Sequence, residues 1–285
     1  MNVSQLRISR RSVAVGAALV GMVSLAIGAH AALNKRPLEA ASTVATEQST
    51  EAAAQPSKIA LVIGNGHYPD ANAPLAQPIN DARALTASLR RDGFDVDVVE
   101  DASRDDMSRA IGRLKSKIRP DSVVLLFFGG YGVQAGRESY MIPVDATIWK
   151  ESDVRRNGIS VESVLDVMKE QGARARLVVL DASRRNPYER RFRTFSHGLA
   201  PIGAPDNALI LTSATPGKVA DDSAGSHSVL MTELLNNLNA QTGVETVFNN
   251  TRLAIARASE GEQVPSVSSS LSEDVRFAAA ENTGG

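Results

Sequence analysis

Ser183 is the residue in this chain whose type and place best suit chemistry. It lies in the stretch LVVLDASRRNP, which runs from Leu177 to Pro187. Four apolar residues without alternation are typical of a strand buried on both faces of a sheet. Asp181 and Ser183 would then lie at the carboxyl end of that strand, where open α/β sheets place their ligand sites. The pattern leaves two interpretations open: Ser183 acts as a nucleophile, or it only occupies a nucleophile's place.

A serine nucleophile needs a base that takes the hydroxyl proton during attack. Three histidines follow the N-terminal segment, namely His67, His197 and His227. His197 is the nearest to Ser183 in the sequence and falls in a predicted loop. No nucleophile elbow of the form G-x-S-x-G surrounds Ser183. An active hydrolase that uses Ser183 is therefore the alternative function, not the leading one.

The composition excludes several classes of function. The chain contains no cysteine, which excludes disulfides, thiolate metal sites and a cysteine nucleophile. Its net charge of −1 provides no overall attraction to nucleic acid or to an anionic membrane. Aromatic residues make up only 4% of the chain, too few for a platform that stacks single-stranded bases. We therefore expect no nucleic-acid partner.

Strands and helices alternate along the part of the chain that must position Ser183. The predicted strands cover residues 58–64, 94–99, 121–128, 176–181 and 208–213, with a short hairpin at 133–144. The predicted helices cover residues 80–93, 101–118, 161–170, 228–238 and 244–258. This alternation predicts an α/β fold with a mostly parallel sheet of about six strands, covered by helices on both faces. Right-handed connections bring the carboxyl ends of such strands to one edge, so the glycine-rich turn 129–132 is expected beside Ser183.

The amino-acid sequence of these segments resembles that of the bacterial caspase-like peptidases, which are relatives of the metacaspases and paracaspases. The resembling segments follow the family's order from Lys58 to about Phe277 and read KIALVIGNGHY, PINDARALTASLRRDGFDV, FFGGYGVQAGRESYMIPVDA, LVVLDASRRNPY, GLAPIGAPDNALILTSATPGKVADD and EGEQVPSVSSSL. The resemblance implies a caspase-like three-layer α/β sandwich over nearly the whole of this region.

The resemblance also implies which residues stand at the catalytic positions. The family's glycine-rich turn reads Tyr-Ser-Gly-His-Gly and its strand end reads Asp-Ala-Cys-Arg, with the histidine as base and the cysteine as nucleophile. This chain has Tyr131 and Ser183 at those positions. A tyrosine, with a pKa of about 10, is neutral at pH 7 and is a poor base there. We therefore expect a catalytically inactive domain, and a purely structural domain with an unused cleft is a further interpretation.

Two acids match the positions that line the specificity pocket of metacaspases, which accepts Arg or Lys. Asp81 stands at the start of a predicted helix, and Asp181 stands just before the nucleophile position. A carboxylate pair holds a guanidinium through charge-assisted hydrogen bonds, so the resemblance implies a basic peptide or protein partner. The competing interpretation is that Asp81 caps its own helix and Asp181 anchors a neighbouring turn.

Three further clusters carry weaker signals. Five arginines follow the central strand, and we interpret them as a solvated loop, with an acidic partner as the alternative: Arg184, Arg185, Arg190, Arg191 and Arg193. Asp221 and Asp222 suggest calcium, but two acids lack a full set of oxygen ligands. We expect no cofactor, with calcium as the one weak candidate. The serine-rich stretch 266–270 is predicted to be a surface loop.

The first 31 residues carry the features of an export signal. Arginines at positions 7, 10 and 11 precede an uncharged run from 12 to 29, and Ala29-His30-Ala31 has the form of a cleavage site. Ser9-Arg10-Arg11 resembles a twin-arginine signal, although the run is also long enough for a marginal membrane anchor. Either reading predicts a periplasmic domain. Residues 32–57 are then a linker, 58–278 the caspase-like domain and 279–285 a tail.

Overall fold

The computed structural model describes residues 57–70, 74–191, 198–220, 225–238 and 241–277. The predicted export signal, the linker up to residue 56 and the C-terminal tail lie outside these residues, as do Arg193, His197 and the Asp221–Asp222 pair. Among the helices in the described ranges, none has both the length and the apolar character needed to cross a membrane.

Within the described ranges, nine strands form two sheets. The strands are β1 (Lys58–Gly64), β2 (Asp95–Glu100), β3 (Val123–Gly129), β4 (Gly132–Ala135), β5 (Glu138–Met141), β6 (Ile159–Ser160), β7 (Ala175–Asp181), β8 (Ala208–Thr212) and β9 (Ser266–Ser269). The main sheet has six strands in the order β2-β1-β3-β7-β8-β9, and only β9 runs antiparallel to its neighbour. The predicted six-stranded, mostly parallel sheet is therefore confirmed. The predicted hairpin is also present, as β4 and β5, and β6 adds a third strand to it.

The same part of the chain contains six helices, and five of them cover the two faces of the main sheet. They are α1 (Pro78–Arg91), α2 (Arg104–Lys117), α3 (Glu151–Asn157), α4 (Val161–Glu170), α5 (Val229–Asn237) and α6 (Val244–Ala258). Apolar residues of α2 and α4 pack on one face, and those of α1, α5 and α6 pack on the other. The result is the three-layer α/β sandwich expected from the alternating pattern.

The central strands β3 and β7 are buried at every position, as their unbroken apolar runs predicted. Successive side chains of a strand point to opposite faces, so the two faces share each strand's residues. Phe127 joins the core under α1, α5 and α6, whereas Phe128 joins the core under α2 and α4. Both helical layers therefore pack on the same two strands, and the carboxyl ends of these strands form part of the site.

The serine-rich stretch 266–270 is not the surface loop that its sequence predicted. Ser266–Ser269 forms β9, which pairs antiparallel with β8 in a register that sets Leu211 opposite Val267. Serine has little strand preference, and the side chains of β9 are mostly half-exposed. Backbone hydrogen bonds to β8 therefore hold this strand in place, together with the half-buried side chain of Val267, which packs against the core.

Candidate active site

The candidate site lies where three parallel strands end at the same level. Register pairs Gly64 at the end of β1 with Gly129 of β3, and Gly129 with Asp181 of β7. Beyond β3 the chain stays close to β7, because Gly132 N donates to Ala182 O over 3.0 Å. A Cβ at Gly132 would lie 2.7 Å from that carbonyl oxygen, so only glycine permits this approach. The predicted meeting of the glycine-rich turn with the Asp181–Ser183 segment is thus realised.

Tyr131 is packed among other tyrosines at the base position. Its side chain is buried, and its ring meets the ring of Tyr68 edge-to-face with 4.8 Å between centroids. The backbone N–H of Tyr131 donates to the Tyr68 hydroxyl over 3.0 Å, and that hydroxyl donates to the carbonyl of Ile142 over 3.1 Å. Tyr140 and Tyr188 belong to the same cluster, and burial raises the pKa of the Tyr68 hydroxyl well above its ordinary value. Tyr131 therefore helps to fill a small second core beneath the hairpin.

Ser183 is enclosed at the nucleophile position, with 1% of its surface exposed. Its backbone N–H donates to Ser213 Oγ over 3.3 Å, and its carbonyl accepts from Ala220 N over 2.6 Å. Gly198 also lies against it, because a Cβ there would be 3.6 Å from Ser183 Cβ. Within the described ranges, the hydroxyl of Ser183 makes no hydrogen bond. No described imidazole is therefore in position to take its proton.

Asp81 is fully buried and binds the start of a different helix from its own. Its carboxylate accepts from the backbone N–H of Ser228 over 3.2 Å, and its Oδ1 lies 2.8 Å from His227 Nδ1. Ser228 is the N-cap residue of α5, whereas α1 begins after Gln77 without a side-chain cap. The interpretation that Asp81 caps its own helix is therefore wrong. Burial, together with the nearby negative charge of Asp181, raises the pKa of Asp81 to about 6.

Asp181 forms a buried ion pair with Arg184. The distance from Arg184 Nη2 to Asp181 Oδ2 is 3.2 Å, and both side chains are almost completely withdrawn from water. The prediction that Arg184 belongs to a solvated loop is wrong, because the acid three residues earlier provides a partner that makes burial tolerable. Asp181 does anchor the turn that follows β7. The negative charge of Asp181 also contributes to the raised pKa of Asp81.

The other loop arginines divide between structural and exposed roles. Arg191 Nη1 binds Asp70 Oδ2 over 2.5 Å, and its guanidinium lies 4.4 Å from the centre of the Trp149 ring. Arg185 and Arg190 are exposed, as predicted for a solvated loop. Arg191 therefore fastens the loop to the chain around Trp149, which leaves Arg185 and Arg190 as the solvated pair.

Sequence reasoning missed the residues that position this edge of the sheet. Asn65 is buried directly after β1, where its side chain accepts from Ala102 N over 2.8 Å and donates to Ile142 O over 3.2 Å. The carboxylate of Asp101 accepts from the backbone N–H groups of Gly66 and His67. The available signal was the NGHY stretch within the resembling segments. Across the described ranges, no group of three or more acids and histidines is placed to hold a metal ion.

A groove lies beside Ala220, the residue whose backbone N–H donates to the carbonyl of Ser183. A cavity of about 490 Å³ lies between the start of α5 and the end of α6, where Val219, Val229, Ile255 and Gln263 are among its lining residues. A second cavity of about 270 Å³ shares Val219 and Gln263 with the first. Gln263 Nε2 donates to the carbonyl of Ser213 over 2.9 Å. The groove is therefore built on the same backbone that encloses Ser183.

Comparisons with known proteins agree with this arrangement. Residues 57–276 match the peptidase family model described as the caspase domain. The human mucosa-associated lymphoid tissue lymphoma translocation protein 1 is 31% identical over 144 residues, which are 50% of this chain and 17% of that protein. Its mouse homologue is 31% identical over 133 residues, 46% of this chain and 16% of that protein. Each match thus spans less than a fifth of the relative's length.

A solved structure has the same fold. Caspase-1 from Spodoptera frugiperda superposes with a TM-score of 0.60 at 15% sequence identity, over 80% of this chain and 92% of that one. At this level of identity the likeness concerns the fold alone. The family model covers most of the chain, from the first strand of the main sheet to beyond the last. The chain therefore belongs to the caspase-domain family of peptidases.

Proposed function

We propose that this caspase-like domain does not cleave peptides and acts by binding a peptide or protein partner that carries a basic segment. The absence of cleavage is supported mainly by Ser183. Its hydroxyl is buried and makes no hydrogen bond within the described ranges. A serine hydroxyl attacks a carbonyl only when a base takes its proton. Tyr131, packed against Tyr68 at the base position, does not provide one, because a tyrosine hydroxyl is a poor base at pH 7.

The pair of buried acids supports the second half of the proposal. Asp81 and Asp181 lie close enough for the charge of one to raise the pKa of the other, and a guanidinium between them would relieve that repulsion. Arg184 and His227 already contact these acids. A basic side chain of a partner therefore has to compete with cations that the chain supplies itself. The nearby groove offers space for the residues that flank such a side chain.

An active hydrolase is the second candidate function, and one observation favours it. The Asp81–His227 contact, 2.8 Å at Nδ1, is the carboxylate–imidazole half of a serine-hydrolase triad. The required third contact would join the imidazole to the hydroxyl of Ser183, which makes no such hydrogen bond. We therefore rank this function below binding.

Peptide hydrolysis separates the two candidates. The full chain is assayed with fluorogenic peptides that carry Arg or Lys before the reporter group, beside its Ser183→Ala and His227→Ala variants. We expect the three proteins to show the same background rate, because no nucleophile is activated. Turnover by the wild type that either substitution abolishes would reject the inactive domain and establish the hydrolase.

Calorimetry tests the binding half. We expect Arg-containing peptides to bind the wild type and an Asp81→Asn/Asp181→Asn double variant to lose most of that affinity, with folding checked by circular dichroism. Equal affinity for the two proteins would reject the acid pair as the site.

We further propose that the domain works in the periplasm, because the sequence of the first 31 residues predicts an export signal. Protease accessibility in spheroplasts checks this, and protection of the domain would count against it.

A further inference from the structure

A further cavity lies beside Tyr131, and three arginines are among its lining residues. Its volume is about 280 Å³. The buried floor is formed by Tyr131, Arg184 and Asn186, and the rim by Arg185, Glu189 and Arg190. Tyr131 stands at the family's base position, and Arg184 directly follows Ser183. The cavity is therefore built from the turns that form the candidate active site, but it presents arginines instead of the acids Asp81 and Asp181.

The charge of this cavity is only partly balanced. The charge of the floor arginine, Arg184, is met by Asp181 at 3.2 Å. On the rim, Glu189 Oε1 lies 4.0 Å from Arg185 Nε, at the limit of an ion pair, and the Arg185 side chain is 76% exposed. Exposed pairs of this kind contribute little. Arg190 forms no ion pair with any acid in the described part of the chain. The rim thus has positive charge to offer a ligand.

The residue types identify the chemistry of that ligand. A guanidinium presents a planar set of donors that matches a carboxylate in two parallel hydrogen bonds. Glu189 already places one carboxylate beside Arg185. We infer that the cavity binds an acidic peptide segment, with its carboxylates between the rim residues Arg185 and Arg190. This goes beyond the proposed function, because the ligand has the opposite charge and the site does not involve Asp81 or Asp181.

Calorimetry with three capped peptides tests the inference on the full chain. The peptides contain Glu-Glu, Gln-Gln or Lys-Lys between glycines and are titrated at low and at physiological salt. We expect only the Glu-Glu peptide to bind at this site, and salt to weaken that binding because the rim is exposed. The Arg185→Ala/Arg190→Ala variant is expected to lose affinity about tenfold. Its buried neighbour Arg184 is left intact so that the fold is preserved.

A charge-matched variant controls for the general loss of positive charge. Arg109 and Arg113 are exposed residues of α2 in surface ion pairs. Replacing both by alanine removes the same charge, and we expect affinity to change by less than about twofold. Glu189→Gln removes the competing carboxylate and is expected to strengthen binding about threefold. The α2 control separates these local effects at the rim from an effect of the overall charge of the chain.

Several results would overturn the inference. These are no binding of the Glu-Glu peptide at millimolar concentration, an equal loss in the α2 control, or no effect of Glu189→Gln. Inorganic phosphate that binds more tightly than the peptide would reject a carboxylate site, and free glutarate that binds as tightly would reject a peptide site. Binding of Arg-containing peptides is measured on the same variants. The inference and the proposed function can then fail separately.

Discussion

Asp181 and Arg184 illustrate how much a residue's role here depends on its partner. An isolated charge is very costly to bury, but a paired charge is tolerated. The sequence places the acid at the strand end and the arginine three residues later, a spacing that allows the pair. From sequence, however, a run of five arginines indicates a solvated loop. Arg184 turns inward because Asp181 is buried. The burial of Asp181 arises only once the sheet has formed.

The pH dependence of stability provides a test at Asp81. Its folded-state pKa of about 6 exceeds its ordinary value of 3.8, so the folded protein retains a proton that the unfolded chain releases between these values. This residue's contribution therefore becomes less favourable as pH rises from about 4 to 6. We expect the unfolding free energy of Asp81→Asn, relative to wild type, to increase by up to about 3 kcal/mol between pH 4 and pH 7.

Urea denaturation at several pH values measures this difference. Comparing pH values, and not the variants at a single pH, cancels the constant effect of the altered hydrogen bond from the backbone N–H of Ser228. Asp106 supplies the control, because hydrogen bonds from Ser103 lower its pKa. The relative stability of Asp106→Asn should therefore change in the opposite direction, decreasing as pH rises. A flat difference for Asp81→Asn would show that its pKa is not raised.

The residues of the candidate site were predictable from sequence, but their partners were not. Tyr131, Ser183, Asp81 and Asp181 follow from the matched motifs and the strand ends. The contact between Asp81 and His227 joins residues 146 positions apart. Nothing local in the chain specifies it, because it exists only once α5 packs beside α1. The same holds for the enclosure of Ser183 by Gly198 and Ala220.

At the scale of elements, the residue that caps α5 has two roles. It stabilises that helix, and it also binds an acid of the candidate site. Ser228 Oγ accepts from Met231 N over 3.0 Å, which caps the helix, while the backbone N–H of Ser228 donates to Asp81. We expect Ser228→Ala to lower the unfolding free energy by about 1 kcal/mol. Because the loosened helix start also holds Asp81, we expect Arg-peptide binding to weaken about threefold.

Ser103 provides the matched comparison for this helix start. It caps α2 in the same way, by accepting from Asp106 N over 3.2 Å, and it contacts no residue of the acid pair. Ser103→Ala should cost a similar stability and leave peptide affinity unchanged. If both variants weaken binding equally, the effect follows from general destabilisation and the link through α5 is refuted. Thermal unfolding and calorimetry on the same samples give both quantities.

Elements with a strong apolar period were predicted closely, and those without it were missed. The bounds of α4 and α6 agree with the prediction, since both helices have a buried stripe. The short helix α3 has only two buried residues, Asp153 and Val154, and offered little periodicity to detect. The helix α2 was predicted to begin at Asp101, but that residue has a positive φ of 45° and binds the turn after β1. The helix begins after Ser103 instead, whose hydroxyl caps it by accepting from Asp106 N.

At the scale of the molecule, the edge of the sheet collects charges of both signs. The two buried acids and the arginine-lined cavity adjoin the same turns, yet the whole chain carries a net charge of only −1. The net charge of the chain therefore does not reveal the local clusters of acids and arginines on which both binding proposals depend. From the net charge we predict that the chain has no nucleic-acid partner, because such partners require a large positive charge. Composition could not reveal a pattern that appears only when strands from distant parts of the chain end together.

The two ends of the described domain are fastened to the fold, which predicts an independent folding unit. Ser57 O accepts from Val123 N over 2.8 Å, and Lys58 Nζ donates to the carbonyl of the buried residue Phe277 over 2.6 Å. We expect a fragment of residues 57–277 to unfold in one transition, at the midpoint of the full chain within about 2 °C. Ending the fragment before Phe277 should cost about 3 kcal/mol through lost burial. Two transitions, or equal stability of the shorter fragment, in calorimetry would show that these contacts do not close the domain.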